Sequence, residues 1–425
     1  MNHTPATQTG PQETGWGLVK TRDFGLLFSG QVISQIGDGL NKVALLWFVY
    51  ELTGSALKMA VIGLLQTIPP LIFGPLIGVY LDRLPKKPVM VWVDLIRTLM
   101  ILLIPALYAQ DALTLERLYV LVFLTSVVST VFGPALSSAI PLIVSRAQLT
   151  AANALIQSTS NIGILVGPAV SGLGIALIGS QNVLYVDAAT FLISALCLIP
   201  IRVRNTRTEG GASEPVETVA HDLLTGFRFV FVQHRTVSAL MATATLYSLG
   251  ASAFVFVLPV FAKELLGVGP IGLGWLWSAL GIGMLTTSAW LAWIKQGDLR
   301  NRMRIVSGSM AIGGMAVCGL SLLETPLLAT VLVIVIGGST ALFTPVVWAL
   351  LQELTPGHML GRVFTTFSTG GMASAMAGMA GFGWAADRIS PAASLVGIGL
   401  ILIGTAVVAA QFGRRCAVVP LTQAL

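Results

Sequence analysis

An apolar stretch from Asp23 to Tyr50 is long enough to cross a bilayer, yet it carries Gln31, Gln35, Asp38 and Lys42. Their spacing of i, i+4, i+7 and i+11 places all four within an arc of about 60° on a helix, and Ser34 and Asn41 flank the stripe. A charge near the middle of a membrane costs at least ~2.5 kcal/mol, so Asp38 and Lys42 need water, each other or a neighbouring helix. The chemistry on offer is binding and proton exchange. Asp38 can carry a proton or help to bind a substrate, Lys42 can tune it, and Gln31 and Gln35 offer neutral contacts along a pathway. The same pattern also serves as a packing face on which Asp38 and Lys42 neutralise one another at i,i+4. Asp187, in a later apolar run, is either a second proton-carrying carboxylate or a cap near a helix N-terminus.

No other constellation competes. There is no Walker-type phosphate loop and no His/Cys/carboxylate cluster, so neither ATP-driven work nor metalloenzyme chemistry is expected of this chain. Cys197, Cys318 and Cys416 lack metal-ligand spacing and read as apolar fillers. The expectation is a non-enzyme without cofactor, with a proton gradient as its coupling ion. The net charge of +6 is spread over short loops rather than gathered in a patch, which argues against a nucleic-acid partner.

The elements that must hold these residues are membrane helices. Of the 425 residues 55% are hydrophobic and 10% charged, and the mean hydropathy is +0.85, far from the roughly 25% charge of soluble domains. The polar, Thr-rich start shows no secretory signal, so the first span is expected to act as the targeting element. Twelve apolar runs are predicted, at 23–50, 57–80, 88–109, 116–140, 150–178, 183–200, 236–263, 271–294, 303–322, 327–350, 364–386 and 392–412. The loops sharing a side with the N-terminus hold eighteen Lys and Arg, the opposite loops four. Both termini are therefore expected in the cytoplasm, with the chain multi-pass in the cell membrane, the inner or plasma membrane. The predicted fold is an all-α integral membrane protein of two six-helix bundles. Residues 1–22 form a cytoplasmic tail, 23–200 the first bundle, 201–235 a cytoplasmic linker, 236–412 the second bundle and 413–425 a cytoplasmic tail. Within the linker, Glu209 to Glu217 is too polar to order itself, and His221 to His234 has the alternation of a surface helix. A weak repeat, Pro141 to Thr150 against Leu351 to Val363, supports two halves.

Between the second and third spans the chain reads Gly78-Val-Tyr-Leu-Asp82-Arg83-Leu-Pro-Lys86-Lys87, and in the fifth Gly163-Ile-Leu-Val-Gly167-Pro168-Ala-Val-Ser-Gly172. Gly78 permits close helix contact, Asp82 can face a helix N-terminus or an Arg, and the basic residues can meet carbonyl ends and anionic lipid. Small residues at intervals of four in the fifth span allow tight backbone packing. The first motif resembles the loop signature of the major facilitator superfamily. The second resembles the Gly-rich, Gly-Pro motif of that superfamily's antiporters, with Ala154 and Ser171 where the family has Gly; ordinary helix packing reads equally well. Leu52-Thr-Gly-Ser, Asp94-Leu-Ile-Arg97, the run from Asp187 and Met359-Leu-Gly-Arg362-Val extend the likeness over the whole chain. It is strongest to the drug:proton antiporter branch that includes macrolide and enterobactin exporters.

That resemblance implies a proton-coupled exporter of small amphipathic molecules of drug, macrolide or siderophore type. It would work by alternating access, with spans one, four, seven and ten lining the cavity. An importer or lysophospholipid flippase on the same fold, or a transport-inactive receptor, stays open. Membrane lipids are the other expected partner, and the protein is expected to be monomeric. Asp94 and Arg97, at i,i+3, are expected to pair with each other and with the Asp82 loop as a gate. Glu264 and Glu353 are expected at the interface, and Trp275, Trp277, Trp290 and Trp293 as an aromatic belt.

Overall fold

The computed structural model describes residues 15–81, 84–145, 148–202, 235–293, 299–355 and 360–416. Their regular structure is helical, as lipid requires of any open chain: only a helix satisfies all of its own backbone groups. A short helix α1 (Gly15–Val19) leads into α2 (Arg22–Thr53), α3 (Ala56–Leu81), α4 (Lys86–Tyr108), α5 (Leu115–Ser129), α6 (Phe132–Ile143), α7 (Leu149–Ile178) and α8 (Ser180–Leu198). The second half comprises α9 (Arg235–Glu264), α10 (Pro270–Trp293), α11 (Leu299–Leu320), α12 (Pro326–Leu354), α13 (Leu360–Arg388) and α14 (Pro391–Cys416). The expected linker core and Asp82 and Arg83 lie outside the described residues, as does part of each repeated segment.

Helix ends fall within a few residues of the predicted spans, with one internal difference. The fourth span is two helices, α5 and α6, parted by a turn at Thr130 and Val131. Pro134 follows directly and has no N–H to give to the Thr130 carbonyl, so the ladder is interrupted there.

Nine spans among the described residues, α5 and α6 together making one, are long and apolar enough to cross a membrane. The 32-residue α2, 24-residue α10 and 29-residue α13 are long enough but rich in polar or small residues. These three face the opposite half. In the first half α2 packs on α7 and α8, and α4 on α8; in the second, α11 packs on α12 and α14, α10 on α12, and α9 on α13 and α14. The halves meet through α7 against α10 and α3 against α13.

One end of the bundle carries the termini and the linker, and the other is termed distal here. A single apolar core joins both halves at the distal end, from Val43, Trp47 and Phe48 on α2 to Val257 and Phe261 on α9, and continues through the second half to Met303, Leu350 and Phe412 towards the linker end. At the linker end the first half closes on a core of its own: Leu18, Phe24, Leu27, Met90, Phe132 and Leu198. Because lipid is as apolar as leucine, such cores hold helices together through close packing rather than through exclusion of water.

Candidate functional site

The polar face of α2 is where the first half gathers its charge. Arg97 reaches across from α4 and places Nη2 2.5 Å from Asp38 Oδ1. The same guanidinium lies 3.7 Å over the ring of Phe191 on α8. Almost one turn further along α2, Asn41 donates from Nδ2 to Oδ2 of Asp187 at 2.6 Å. Asp94 and Asp187 are fully buried. Neither oxygen of Asp94, nor Oδ1 of Asp187, has a hydrogen-bond partner in the protein, and Ser194 of α8 lies beside Asp94. Three carboxyl groups from three helices therefore lie near one guanidinium, and among them Asp38 alone is bonded to it. The Asp38 side chain is 41% exposed against 11% for Arg97, which makes Asp38 the acid that opens to the space between the halves.

Small residues bring these helices close enough. A Cβ on Gly37 would run into Thr190 and the Asp187 carboxyl of α8, and one on Gly39 would run into Gly163 and Gly167 of α7. The Gly163-to-Gly172 motif thus has two faces. Gly163 and Gly167 seat α7 against α2 inside the first half. Pro168 and Gly172 meet Gly274 on α10, and Gly172 also meets Pro270. Ser278 of α10 completes that seam with a hydrogen bond to the Leu165 carbonyl at 3.2 Å.

Several expectations are corrected by this geometry. Asp38 and Lys42 do not pair: Asp38 takes Arg97, and Lys42 sits 4.8 Å from the ring centre of Trp277, across the boundary between halves. Lys42 is exposed although it sits midway along a buried helix, which fits a side chain opening to an internal space. Trp277 is buried and so is no belt residue, whereas Trp275 and Trp290 are exposed. Arg97 bonds Asp38 rather than its helix neighbour Asp94, so the expected Asp94–Arg97 gate is not what forms. Asp187 lies two turns inside α8 and caps nothing. Gln31 is buried with Nε2 unpartnered, while Gln35 is half-buried against Gly163. Gly78 lies in the last turn of α3; Lys86 and Lys87 open α4, at the amide end of their helix rather than its carbonyl end.

Sequence reasoning missed the distal contacts between halves. The Tyr50 hydroxyl donates to Glu264, and the Lys263 ammonium lies 4.8 Å from the Tyr50 ring. Asp387 of α13 accepts from the backbone N–H of Ala56 at 2.6 Å. Glu353 pairs with Arg302 at the linker end, at 2.6 Å. The second half offers hydroxyls and rings instead of charge: Tyr247 stacks on Phe343 at 3.9 Å, Trp348 meets Phe364 edge-on, and Ser374 donates to the Thr245 carbonyl.

Comparison with known proteins agrees with this architecture. Macrolide efflux protein A of Streptococcus pyogenes is 25% identical over 346 residues, 80% of this chain and 84% of that protein. Multidrug efflux pump Tap of Mycolicibacterium fortuitum is 26% identical over 401 residues, 92% and 95% of the two chains. Among solved structures, the nucleoside transporter NupG superposes with a TM-score of 0.71 at 15% identity, covering 94% of this chain and 100% of that one. A bacterial homologue of the human lysosomal transporter Spinster, crystallised inward-facing and unoccupied, gives 0.65 at 12% identity, covering 92% and 95%. The sequence profile described as Major Facilitator Superfamily matches residues 27–379; with two helical halves around a charged face of its first span, this multi-pass membrane protein belongs to the Major Facilitator Superfamily of transporters.

Proposed function

We propose that this transporter exports small amphipathic compounds across the cell membrane in exchange for protons. The observation that carries the reading is the set of three carboxyl groups, Asp38, Asp94 and Asp187, near the single guanidinium of Arg97. Buried charge of one sign in excess needs compensation, and a proton or a cationic group of a substrate supplies it. Asp38 is the entry point because it is the acid open to the space between halves.

The positive-inside bias puts the linker end in the cytoplasm. The distal contacts then lie on the outer side, which supports reading this arrangement as an inward-facing state. In that state Asp38 releases its proton to the cytoplasm, pairs with Arg97 and leaves the cavity ready for substrate. Once the outer side opens, substrate leaves and a proton entering on Asp38 breaks the ion pair, freeing Arg97 to turn one helical turn back towards Asp94. The aromatic surface of Tyr247, Phe343 and Trp348 supplies the apolar side of the same cavity. The names of the two efflux relatives support the outward direction and the drug-like cargo.

The test uses everted membrane vesicles and a macrolide or a cationic dye as probe. Wild-type protein should couple probe entry to proton exit, and Asp38→Asn should reduce both to background while reaching the membrane in normal amount. Probe-driven proton movement at the wild-type rate in Asp38→Asn would remove Asp38 from the coupling path, and movement of the opposite sense would mark an importer.

A further inference from the structure

The dipeptide Asp-Arg occurs twice in this chain, and both times it ends the same hexapeptide pattern: Gly78-Val-Tyr-Leu-Asp82-Arg83 and Gly383-Trp-Ala-Ala-Asp387-Arg388. The first copy begins in the last turn of α3, which ends at Leu81 at the linker end; the second closes α13 at the distal end. The two helices are packed on each other and run in opposite directions. In this fold each half is built from two three-span repeats of inverted topology. The helices α3 and α13 are the second spans of the first and last repeats, so a motif ending one at the linker end has its counterpart ending the other at the distal end.

The distal copy is seen at work. Asp387 accepts from the backbone N–H of Ala56 at 2.6 Å and of Leu57 at 3.1 Å, and the Ser55 hydroxyl donates to it. Ser55 Oγ in turn accepts from the N–H of Lys58 at 3.2 Å. Three of the four orphan amides that open any helix are thereby satisfied at α3, two of them by a carboxylate from the other half of the protein. The glycine of the pattern has its own part. Gly383 is buried, and a Cβ there would collide with Ala60 and crowd Ala56 and Leu57, so only glycine brings Asp387 within reach of the α3 amides.

We propose that Gly383 to Arg388 is a second latch: Asp387 holds the distal end shut by capping α3, and releases it when the halves part there. The latch rests on the alternating-access reading above but not on what is carried or on proton coupling. Asp387 is a positioning residue, acting on the balance between two states of the transporter.

The test reads that balance directly. Spin labels at Gln110 and Glu324, exposed at the distal ends of the two halves, are placed on the full chain with Cys197, Cys318 and Cys416 replaced by serine, and their distance distribution is measured in lipid nanodiscs. Asp387→Ala should raise the ratio of long to short distances about fivefold, the effect of losing one helix cap. Asp387→Asn, whose single amide oxygen can still accept from Ala56 but whose NH2 replaces the oxygen that accepts from Leu57, should lie between Asp387→Ala and the wild type. Ser55→Ala should shift it in the same direction by about twofold, and reads the latch even if Asp387→Ala does not reach the membrane. A wild-type distribution in Ser55→Ala and in folded Asp387→Ala would overturn the latch, as would a shift towards shorter distances. Because the readout is distance, failure here is separable from failure of the proton-coupled export reading, which the vesicle experiment decides.

Discussion

The two halves of this transporter solve the membrane problem differently. Every acidic or basic residue well inside a span lies in the first half, at Asp38, Lys42, Asp94, Arg97 and Asp187; the spans of the second half carry theirs, such as Lys263 and Arg304, only near their ends. The second half lines its interior with hydroxyls that bond to backbone carbonyls, such as Ser374 to Thr245, and with stacked rings. A charge network in lipid demands fixed geometry, and the first half supplies it through the close α2–α7–α8 contacts at Gly37, Gly39, Gly163 and Gly167. Close glycine contacts also knit the second half together, at Gly283 and Gly337 between α10 and α12 and at Gly378 between α13 and α9. The contrast is therefore one of charge: a charged half faces a neutral surface, with Lys42 over Trp277 as a polar contact between the two.

The sharpest way to break this comparison is to remove the one cation that the three acids share. Arg97→Gln leaves Asp38 without its partner; because the Asp38 side chain is 41% exposed, the cost falls below the ~3–5 kcal/mol of breaking a fully buried ion pair from one side. The expected outcome is a drop in detergent-extracted thermal stability together with loss of transport. The paired variant Arg97→Gln/Asp38→Asn should regain much of the stability but none of the coupling. Equal stability in wild type and Arg97→Gln would mean that the network does not hold the first half together.

Much of this organisation was legible in the sequence because the bilayer leaves few choices. Span positions followed from the length of apolar runs, and the stripe on α2 from its spacing. The partner of Arg97 was not legible. Asp94 at i,i+3 and Asp38 on another helix are both within reach, and the choice is made by how α4, α8 and α2 pack around Phe191. Trp277 lies near a span end and so matched the pattern of a belt residue, although it faces inward. Asp387 looked like any carboxylate at a helix end; its signal was the repeated Gly-x-x-x-Asp-Arg. The break in the fourth span had a signal too, in Gly133-Pro134, but continuous apolarity concealed it.

A smaller effect is expected from the second polar bridge. Asn41→Ala removes the donor to Asp187 and leaves that buried carboxyl without a hydrogen bond, a loss of about 1–3 kcal/mol. Thermal unfolding of the purified protein should show it, and Asn41→Ser should lie between the two. Asn41→Ala with unchanged stability would show that Asp187 is not organised by α2, and would take this bridge out of the first half's charge network.

Lys42→Met probes the contact between halves. An ammonium over an indole contributes about 0.5–2 kcal/mol, and here it joins α2 to α10. A double-mutant cycle with Trp277→Leu should give a coupling energy in that range, and Lys42→Met should alter the pH dependence of transport by removing a cation one turn from Asp38 on α2. Additive single and double variants would detach Lys42 from Trp277.

The smallest effect is expected where the comparison says charge is absent. Ser374 donates to the Thr245 carbonyl within the second half, and hydrogen bonds between membrane helices average about 0.6 kcal/mol. Ser374→Ala should therefore change stability by well under the Asn41→Ala value and leave the pH dependence of transport as it was. It is a sensitive control, because Ser374 and Thr245 join α13 to α9 in the second half much as Asn41 and Asp187 join α2 to α8 in the first. The two bridges differ mainly in whether a carboxyl group is at stake. If Ser374→Ala shifted the pH profile as Lys42→Met should, the proposed proton coupling would extend into the neutral half, and the division between a charged half and a neutral one would have to be redrawn around α9 and α13.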